Sequence, residues 1–378
     1  METEVTMNNF ETLGLDPLWS DKLKKIGITI PTAIQNIAIP EVLNQRNVIA
    51  EAQTGSGKTL AFLLPILQNI DALSSTVQAL VLVPTRELAI QITEEAKKIT
   101  GDLSINVLSI YGGQDLQSQL KKLNHSVHMI IATPGRLIDH LDRKTIDLSK
   151  VKTFVLDEAD QMLVMGFRND IDKIVYLGKF KAQVLCFSAT IDAKVKKLAY
   201  KYMENPLILS AHSDSKPLDV IEQRVIMVSD RWKMEALLKT LDETNPFLGI
   251  IFCRTKIRAD KLETEMKRLK YTCEKLHSDI SQNKRQRIMR QFKDAKFQYL
   301  ITTDVASRGI DVTGITHIYN YDMPESVEIY VHRIGRTGRM GEDGIAITFV
   351  TPRDEEMLKA IEERLKVTIS QSFHEHQK

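Results

Sequence analysis

The sequence predicts an α/β protein of two tandem domains, each a mainly parallel sheet flanked by helices. Two observations predict this class. Short apolar runs of strand length alternate with amphipathic stretches along the chain, as in doubly wound α/β domains. The alternation pauses once and restarts, and 378 residues fit two domains of roughly 150 residues better than one or three.

The predicted strands of the first half are apolar on both faces. They are NVIA, ALVLVP, VHMIIAT, TFVLDEAD and QVLCFSAT. Strands buried between two helical layers of a parallel sheet have this composition. Amphipathic stretches such as RELAIQITEEAKKIT lie between them and predict the covering helices.

A polar run that contains a proline, SAHSDSKPLD at 210–219, separates the two halves. It predicts a linker between domains at 1–209 and 220–378. Beyond it the predicted strands are EQRVIMVS, GIIFCRT, FQYLITTDV, THIYNYDMP and GIAITFVT. We interpret the final FHEHQK as a frayed terminus.

The charge and the cysteine content limit which partners and which cellular compartment are expected. The 51 basic and 49 acidic residues leave a net charge of +2, so a nucleic-acid surface would have to be local. Cys186 and Cys253 lie in apolar runs and are expected to be buried free thiols, which is typical of a reducing compartment. No signal-peptide pattern and no apolar run near ~18 residues occurs. We therefore expect a cytoplasmic protein with no membrane contact.

Two histidines at metal-ligand spacing do not predict a metal site. His125 and His128 are three residues apart in HSVHMII, which leads into a predicted strand. No third ligand is near them in the sequence, so we expect both to be structural.

The stretch AEAQTGSGKTLAF (50–62) lies between a predicted strand and an apolar helix. Its spacing is that of a phosphate-binding loop, with Ala52 in place of the usual first glycine. Gly55 and Gly57 let backbone N–H groups face an oxyanion at the positive end of the following helix. Lys58 is expected to reach the β- and γ-phosphates, and the Thr59 hydroxyl to bind Mg²⁺. The loop predicts a nucleoside triphosphate site.

The segment FVLDEAD supplies the acidic partner of this loop. Ligands bind at the carboxyl ends of strands in an open α/β sheet, and Asp157 and Glu158 follow such a strand. We expect Asp157 to hold the metal and Glu158 to act on the attacking water. Hydrolysis is favoured over transfer because a base is present and no acceptor site is visible.

Further motifs resemble those of the DEAD-box RNA helicases of superfamily 2. The resemblance runs from about Phe10 to about Thr351 in the family's order. It implies two RecA-like domains, ATP and Mg²⁺ as cofactors, and an RNA-dependent ATPase that acts as a helicase. The motifs are PTRELAIQ (84–91), Gly112-Gly113, TPGR (133–136), Ser188-Ala189-Thr190, IIFCRT (250–255), TTDVASRGID (302–311) and HRIGRTGR (332–339).

The resemblance implies how the nucleotide is recognised. Gln35 in GITIPTAIQ matches the adenine-reading glutamine, although Ile28 stands where an aromatic is common and Ala33 where proline is common. Arg336 and Arg339 match the arginine fingers that compensate the γ-phosphate charge, which makes them catalytic with Lys58 and Glu158. The implied nucleotide contacts are Phe10, Gln35, Thr54, Gly55, Ser56, Gly57, Lys58, Thr59 and Asp304.

The resemblance also implies RNA binding through the sugar-phosphate backbone without sequence specificity. The implied RNA contacts are Arg86, Gly113, Thr133, Arg136, Arg254 and Thr303, which are donors suited to phosphate and 2′-hydroxyl oxygens. The implied coupling residues are Asp160, Ser188, Thr190 and His332. The basic run NKRQRIMRQFK (283–293) is interpreted mostly as an exposed helix face, although Gln282 and Arg285 match a family motif.

Two alternative functions stay open at this point. An ATP-gated RNA clamp that nucleates an assembly would use the same site. A related nucleic-acid translocase is disfavoured by Asp160, which is not a histidine, and by the adenine motif at Gln35. We expect a monomer; the sequence identifies neither the target RNA nor protein partners.

Overall fold

The computed structural model describes residues 9–52, 55–113, 126–211, 221–307, 310, 312–338 and 343–373. The chain divides into two compact units, Met1–Ser213 and Asp214–Lys378. Each unit contains a seven-stranded sheet with helices on its faces, and the strand pairings described are parallel. The predicted α/β class is confirmed.

The sheet of the first unit has the strand order β3-β4-β2-β5-β6-β1-β7. Because β5, β6 and β1 are neighbours, the segments that follow them lie at one edge of the sheet. The strands are β1 (Val48–Glu51), β2 (Ala79–Leu82), β3 (Val107–Ile110), β4 (Met129–Ala132), β5 (Thr153–Leu156), β6 (Gln183–Ser188) and β7 (Leu207–Ser210).

Helices cover both faces of this sheet, and each face has its own hydrophobic core. On one face the rings of Phe62 and Phe187 lie 5.2 Å apart; on the other, those of Phe154 and Phe180 lie 5.3 Å apart. The helices are α1 (Pro17–Lys25), α2 (Ala33–Leu43), α3 (Lys58–Asn69), α4 (Arg86–Thr100), α5 (Pro134–Asp142), α6 (Ala159–Val164), α7 (Arg168–Gly178) and α8 (Ala193–Ala199).

The second unit repeats this plan with the order β10-β11-β9-β12-β13-β8-β14. Its strands are β8 (Ile221–Met227), β9 (Gly249–Phe252), β10 (Cys273–Leu276), β11 (Tyr299–Thr302), β12 (His317–Asn320), β13 (Gly344–Val350) and β14 (Ser370–Phe373). Its helices are α9 (Lys233–Thr244), α10 (Lys256–Arg268), α11 (Gln282–Lys293), α12 (Asp304–Ser307), α13 (Val327–Ile334) and α14 (Glu355–Leu365), with a 3₁₀ turn at Pro352–Asp354.

Four strands were not predicted from the sequence, and all four are sheet edges: β3, β7, β10 and β14. β7 alternates in exposure and β14 is exposed, and β10 is buried only at its first and last residues, so these three lack the two-sided apolar signal; β3 is buried except at Ser109. Two predictions are corrected as a result. Ser210 ends β7 rather than starting the linker, and Phe373 ends β14 rather than fraying. Residues 212–219 and 374–378 lie outside the described residues.

All three cysteines are buried free thiols, which confirms the prediction for Cys186 and Cys253. His128 is buried, and its Nδ1 accepts a hydrogen bond of 2.9 Å from the backbone N–H of Asn106; His125 lies outside the described residues. No helix in the described part of the chain has the length and apolarity that a bilayer crossing requires.

Candidate active site

Three segments meet at the carboxyl edge of the first sheet. The register pairs Glu51 of β1 with Ser188 of β6, and Leu156 of β5 with Cys186 of β6. The backbone N–H of Ala52 continues the ladder with a 3.0 Å bond to the Ser188 carbonyl. The glycine-rich loop after β1, the acidic motif after β5 and Ser188 therefore lie side by side.

The glycine-rich loop depends on left-handed backbone at Gly55 (φ 84°) and Gly57 (φ 89°). A Cβ at Gly57 would also lie 2.4 Å from Nε2 of Gln35, so only glycine fits there. Lys58 begins α3 and is buried, while Ser56 and Thr59 are half-buried. Thr54 lies outside the described residues.

The amide of Gln35 is buried against this loop. Its oxygen accepts a 2.9 Å bond from the backbone N–H of Thr32, and its nitrogen donates a 3.0 Å bond to the carbonyl of Gly57. These bonds leave one N–H and one lone pair of the amide for a base edge. Phe10 is 2% exposed and packs in the core; its role at the nucleotide stays a prediction.

Asp157 and Glu158 have opposite environments although they are adjacent. Asp157 is buried, and burial raises the pKa of its carboxyl to about 7, although the positive charge of Lys58 lowers that pKa. Glu158 is half-buried and adopts a left-handed conformation, φ 51° and ψ 49°, which is strained for a residue with a Cβ. Its backbone N–H donates a 3.0 Å bond to the carboxylate of Asp157. The turn thus buries one carboxylate and leaves the next half-buried.

A hydrogen bond joins the acidic motif to the Ser-Ala-Thr motif. Ser188 is fully buried, and its Oγ accepts a 3.3 Å bond from the backbone N–H of Asp160. Thr190, two residues on, is half-buried. The contact ties the start of α6 to the end of β6.

The RNA residues predicted in the first unit follow the other half of the same sheet edge, after β2, β3 and β4. Arg86 begins α4, and a Cβ at Gly112 would lie 3.2 Å from its Nη2, so the absent side chain lets the guanidinium pack there. Gly113 has φ 85°. Thr133 and Arg136 lie at the start of α5, where Arg136 Nε is 3.5 Å from a carboxylate oxygen of Asp139.

The second sheet gathers predicted residues in a similar way, because β11, β9 and β12 are neighbours. Thr303 follows β11 and Arg254 follows β9. The backbone N–H of Arg254 donates a 2.9 Å bond to the carboxylate of Asp322, after β12. Its guanidinium donates a 3.2 Å bond to the carbonyl of Met323. The tertiary structure thus adds Asp322 to the predicted set.

Arg333 is the central side chain that sequence reasoning missed in this unit. It is 2% exposed and binds both carboxylate oxygens of Asp304, at 2.5 and 2.8 Å. It also donates to the carbonyl of Asp322 at 2.6 Å and to the side-chain oxygen of Asn320 at 3.2 Å. Its motif, HRIGRTGR, was noticed, but nothing in the sequence distinguishes this arginine from the others.

Two further cations lie beside the carboxylate of Asp322. Arg258 Nη2 lies 2.9 Å and Lys233 Nζ 3.5 Å from Oδ1. Lys233 is itself buried, and burial lowers the pKa of its ammonium group. The only sequence signal for Asp322 was its position near the end of the predicted strand run THIYNYDMP.

The predicted arginine fingers lie beyond α13. Arg336 is buried, and its Nη1 donates a 2.9 Å bond to the carbonyl of Ile310. Arg339 lies outside the described residues. His332 is half-buried in the last turn of α13.

Two family models match the chain. The DEAD/DEAH box helicase model matches residues 32–198, and the helicase conserved C-terminal domain model matches residues 232–341. Together they cover the phosphate loop, the acidic motif and the whole HRIGRTGR segment.

Named relatives and solved structures are similar to the chain over most of its length. The DEAD-box ATP-dependent RNA helicase CshA of Bacillus licheniformis is 44% identical over 94% of this chain and 73% of its own. CshA of Geobacillus kaustophilus is 44% identical over 95% and 77%.

Among solved structures, Dbp5 of S. cerevisiae bound to RNA and ADP BeF₃ aligns with a TM-score of 0.88 and 31% identity, over 96% of this chain and 95% of that one. Mss116p bound to ssRNA and AMP-PNP aligns with a TM-score of 0.89 and 31% identity, over 99% and 81%. The chain belongs to the DEAD-box ATP-dependent RNA helicases.

Proposed function

We propose that this chain hydrolyses ATP when RNA binds and that each cycle of ATP binding and hydrolysis separates a short stretch of duplex or remodels an RNA–protein complex. What supports this is the division of the first sheet edge. In the first unit the phosphate loop and the acidic motif follow β1 and β5, the predicted RNA residues follow β2, β3 and β4, and the Asp160–Ser188 bond lies on the nucleotide side.

The residues around Asp157 fit a magnesium ion. A buried carboxylate whose pKa is raised to about 7 is stabilised in its charged form by a divalent cation. No group of three or more His, Cys, Asp or Glu that could hold a metal is found among the described residues. Mg²⁺ bound by Asp157 and Thr59 would complete its shell with phosphate oxygens and water, its usual mode. When bound, it would neutralise charge on the phosphates.

The remaining roles belong to the chain's own groups. Backbone N–H groups at Gly55 and Gly57 and the ammonium of Lys58 bind the β- and γ-phosphates. Glu158 orients and deprotonates the water that attacks the γ-phosphorus. Arg336, with Arg339, compensates the charge that develops on the γ-phosphate oxygens. Gln35 selects adenine through its remaining amide donor and acceptor.

RNA is held through its backbone, without sequence preference. Arg86, Arg136 and Arg254 supply guanidinium donors, and Thr133 and Thr303 supply hydroxyls. Such donors recognise phosphate and 2′-hydroxyl oxygens rather than base edges. We further propose that the protein is a cytoplasmic monomer and that its rate of ATP hydrolysis depends on bound RNA.

Strand separation is local in this proposal, because the family resemblance implies that helix α5 bends the bound strand, and a bent strand leaves the A-form duplex. Opening ~6 base-pair steps at about 1.4 kcal/mol each costs about 8 kcal/mol. The rest of a ~10-pair duplex then dissociates by itself, whereas a ~40-pair duplex keeps roughly 50 kcal/mol of stacking.

Strand displacement over a series of duplex lengths, with 5′ and 3′ overhangs, tests this function. We expect RNA-stimulated ATP hydrolysis, efficient separation at ~10 pairs, almost none at ~40 pairs and no dependence on overhang polarity. Processive separation of the long duplex from one polarity would show a translocase instead. Tight ATP-dependent RNA binding with no turnover would show a clamp.

A further inference from the structure

Helix α11 and the turn after it concentrate positive charge. Residues 282–296 contain six basic residues and one acidic residue, whereas the whole chain has a net charge of +2. The rest of the chain is therefore net acidic. Local charge of one sign is the electrostatic property by which a surface attracts phosphates.

Most of this charge points to solvent. Arg285, Ile288 and Phe292 are the buried residues of α11. At 100° per residue, Arg287 and Arg290 lie on the side opposite to them. We call the exposed cations of this segment the basic face: Lys284, Arg287, Arg290, Lys293 and Lys296.

The basic face is not neutralised by the protein itself. None of its five side chains makes an ion pair or side-chain hydrogen bond with another residue that the structure describes. Helix α10, which precedes it, differs: Lys267 pairs with Glu263 at 2.9 Å, and Arg268 with Glu265 at 2.9 Å. Cations three residues apart on one helix repel one another, and an external polyanion relieves that repulsion.

Helix α11 is fixed to a segment that is predicted to touch RNA. The guanidinium of Arg285 donates a hydrogen bond to the carbonyl of Ala306. Ala306 belongs to α12, which begins directly after Thr303. The helix that carries the basic face is thus anchored to the helix that directly follows one of the predicted backbone contacts.

We propose that the basic face binds the phosphate backbone of RNA that extends beyond the nucleotides held at Arg254 and Thr303, an inference that rests on the proposed function. The helix rises about 13 Å between Lys284 and Lys293, a distance along which a nucleic acid presents several phosphates. The contacts are to phosphate, so they add affinity for longer RNA without adding sequence preference.

The test is the double charge reversal Arg287→Glu/Arg290→Glu. A matched control is Lys359→Glu/Arg364→Glu on α14, where both side chains are also exposed and the change in net charge is the same. Affinity for single-stranded RNA of about 6 and about 20 nucleotides is measured by anisotropy over a salt series, with a non-hydrolysable ATP analogue. ATP hydrolysis at saturating short RNA is measured in parallel.

We expect the Arg287/Arg290 variant to bind the long RNA about 10-fold more weakly at low salt. The slope of log K against log salt should fall by ~1.4, since each lost phosphate contact removes ~0.7 for a single strand. Affinity for the short RNA and ATP hydrolysis should match the parent, and the control should match it throughout. Arg287→Gln/Arg290→Gln should reduce the slope equally while placing no new charge on the helix.

Three outcomes would overturn the proposal. Unchanged affinity for the long RNA would show that the basic face does not bind RNA and is either solvated or bound by an acidic protein. Equal losses for both RNAs would place the effect in the main contacts, and equal losses in the control would make it a net-charge effect. A parent chain with no RNA-dependent hydrolysis would instead contradict the proposed function.

Discussion

Arg333 and Asp304 form a bidentate ion pair inside the second unit, with Arg333 Nε and Nη2 lying 2.5 and 2.8 Å from the two carboxylate oxygens. Asp304 is a predicted nucleotide contact. Arg333 is in turn held by Asn320 and by the carbonyl of Asp322, at the end of β12. The orientation of the carboxylate is therefore set by the sheet through one buried guanidinium.

Arg333→Gln should lower the free energy of unfolding of the second unit by about 3–5 kcal/mol, because it leaves the Asp304 carboxylate without its partner. Asp304→Asn should cost less, since Arg333 keeps its other two acceptors. Urea unfolding followed by circular dichroism measures both. The control is Arg224→Gln, which breaks the exposed pair with Glu222 and should cost about 0–1 kcal/mol. Equal costs for Arg333 and Arg224 would contradict the structural role.

Arg336→Ala should reduce RNA-stimulated ATP hydrolysis by about 10³-fold or more, because an arginine finger compensates charge that develops in the transition state. ATP binding should stay largely intact. Loss of the bond to the Ile310 carbonyl should lower stability by only about 1 kcal/mol, which a melting curve checks. A variant whose kcat stays within about threefold of the parent would remove this arginine from the mechanism.

Glu158→Gln should stop turnover while Asp157 keeps its position. The amide has nearly the same shape but cannot take a proton from the attacking water. RNA affinity in the presence of ATP should hold or rise, because the ATP-bound state is no longer lost through hydrolysis. A fall in ATP-dependent RNA affinity would assign Glu158 a different role.

Asp157→Asn should stabilise the protein at neutral pH when no divalent cation is present. Burial raises the pKa of this carboxyl to about 7 in the folded chain, against its ordinary value of 3.8. Between these values the unfolded chain loses the proton and the folded chain keeps it, so the free energy of unfolding falls as pH rises, by up to about 1.4 kcal/mol per pH unit.

The difference in the free energy of unfolding between Asp157→Asn and the parent should therefore be largest above pH ~7 and should vanish towards pH ~4. Thermal melts across this range measure it. Asp147→Asn serves as the control, because hydrogen bonds from Ser149 hold the pKa of Asp147 below its usual value, and its effect has the opposite sign. If Asp157→Asn is no more stable than the parent at pH 8, burial of the Asp157 carboxylate carries no cost.

Gly57→Ala should abolish nucleotide binding, because a Cβ at φ 89° would also lie 2.4 Å from Gln35 Nε2. Fluorescent-nucleotide titration measures the loss. Gly135→Ala is the matched control: no atom lies within 4 Å of its added Cβ, and its nucleotide affinity should equal the parent's. Similar affinities in the two variants would mean that the loop rearranges away from Gln35.

The sequence by itself determined the inner part of each sheet and the chemistry of its loops. The ten predicted runs correspond to the ten inner strands. Nine of these strands are mostly buried, as in a sheet covered on both faces, whereas β8 contains Glu222, Gln223 and Arg224 and is only partly buried. Three of the edge strands, β7, β10 and β14, were missed because they are partly or fully exposed and their residues carry no two-sided apolar pattern. Motif spacing likewise predicted which residue types stand at the strand ends.

Only the tertiary structure decided what those residues do for one another. HRIGRTGR contains three arginines of equal standing in the sequence, yet Arg333 is buried on Asp304 while Arg336 binds the carbonyl of Ile310. Asp322 gained its role because β12 lies beside β9 in the sheet. Strand order is set by packing among segments far apart in the chain, so the pairing of charges at the sheet edge is invisible to local pattern.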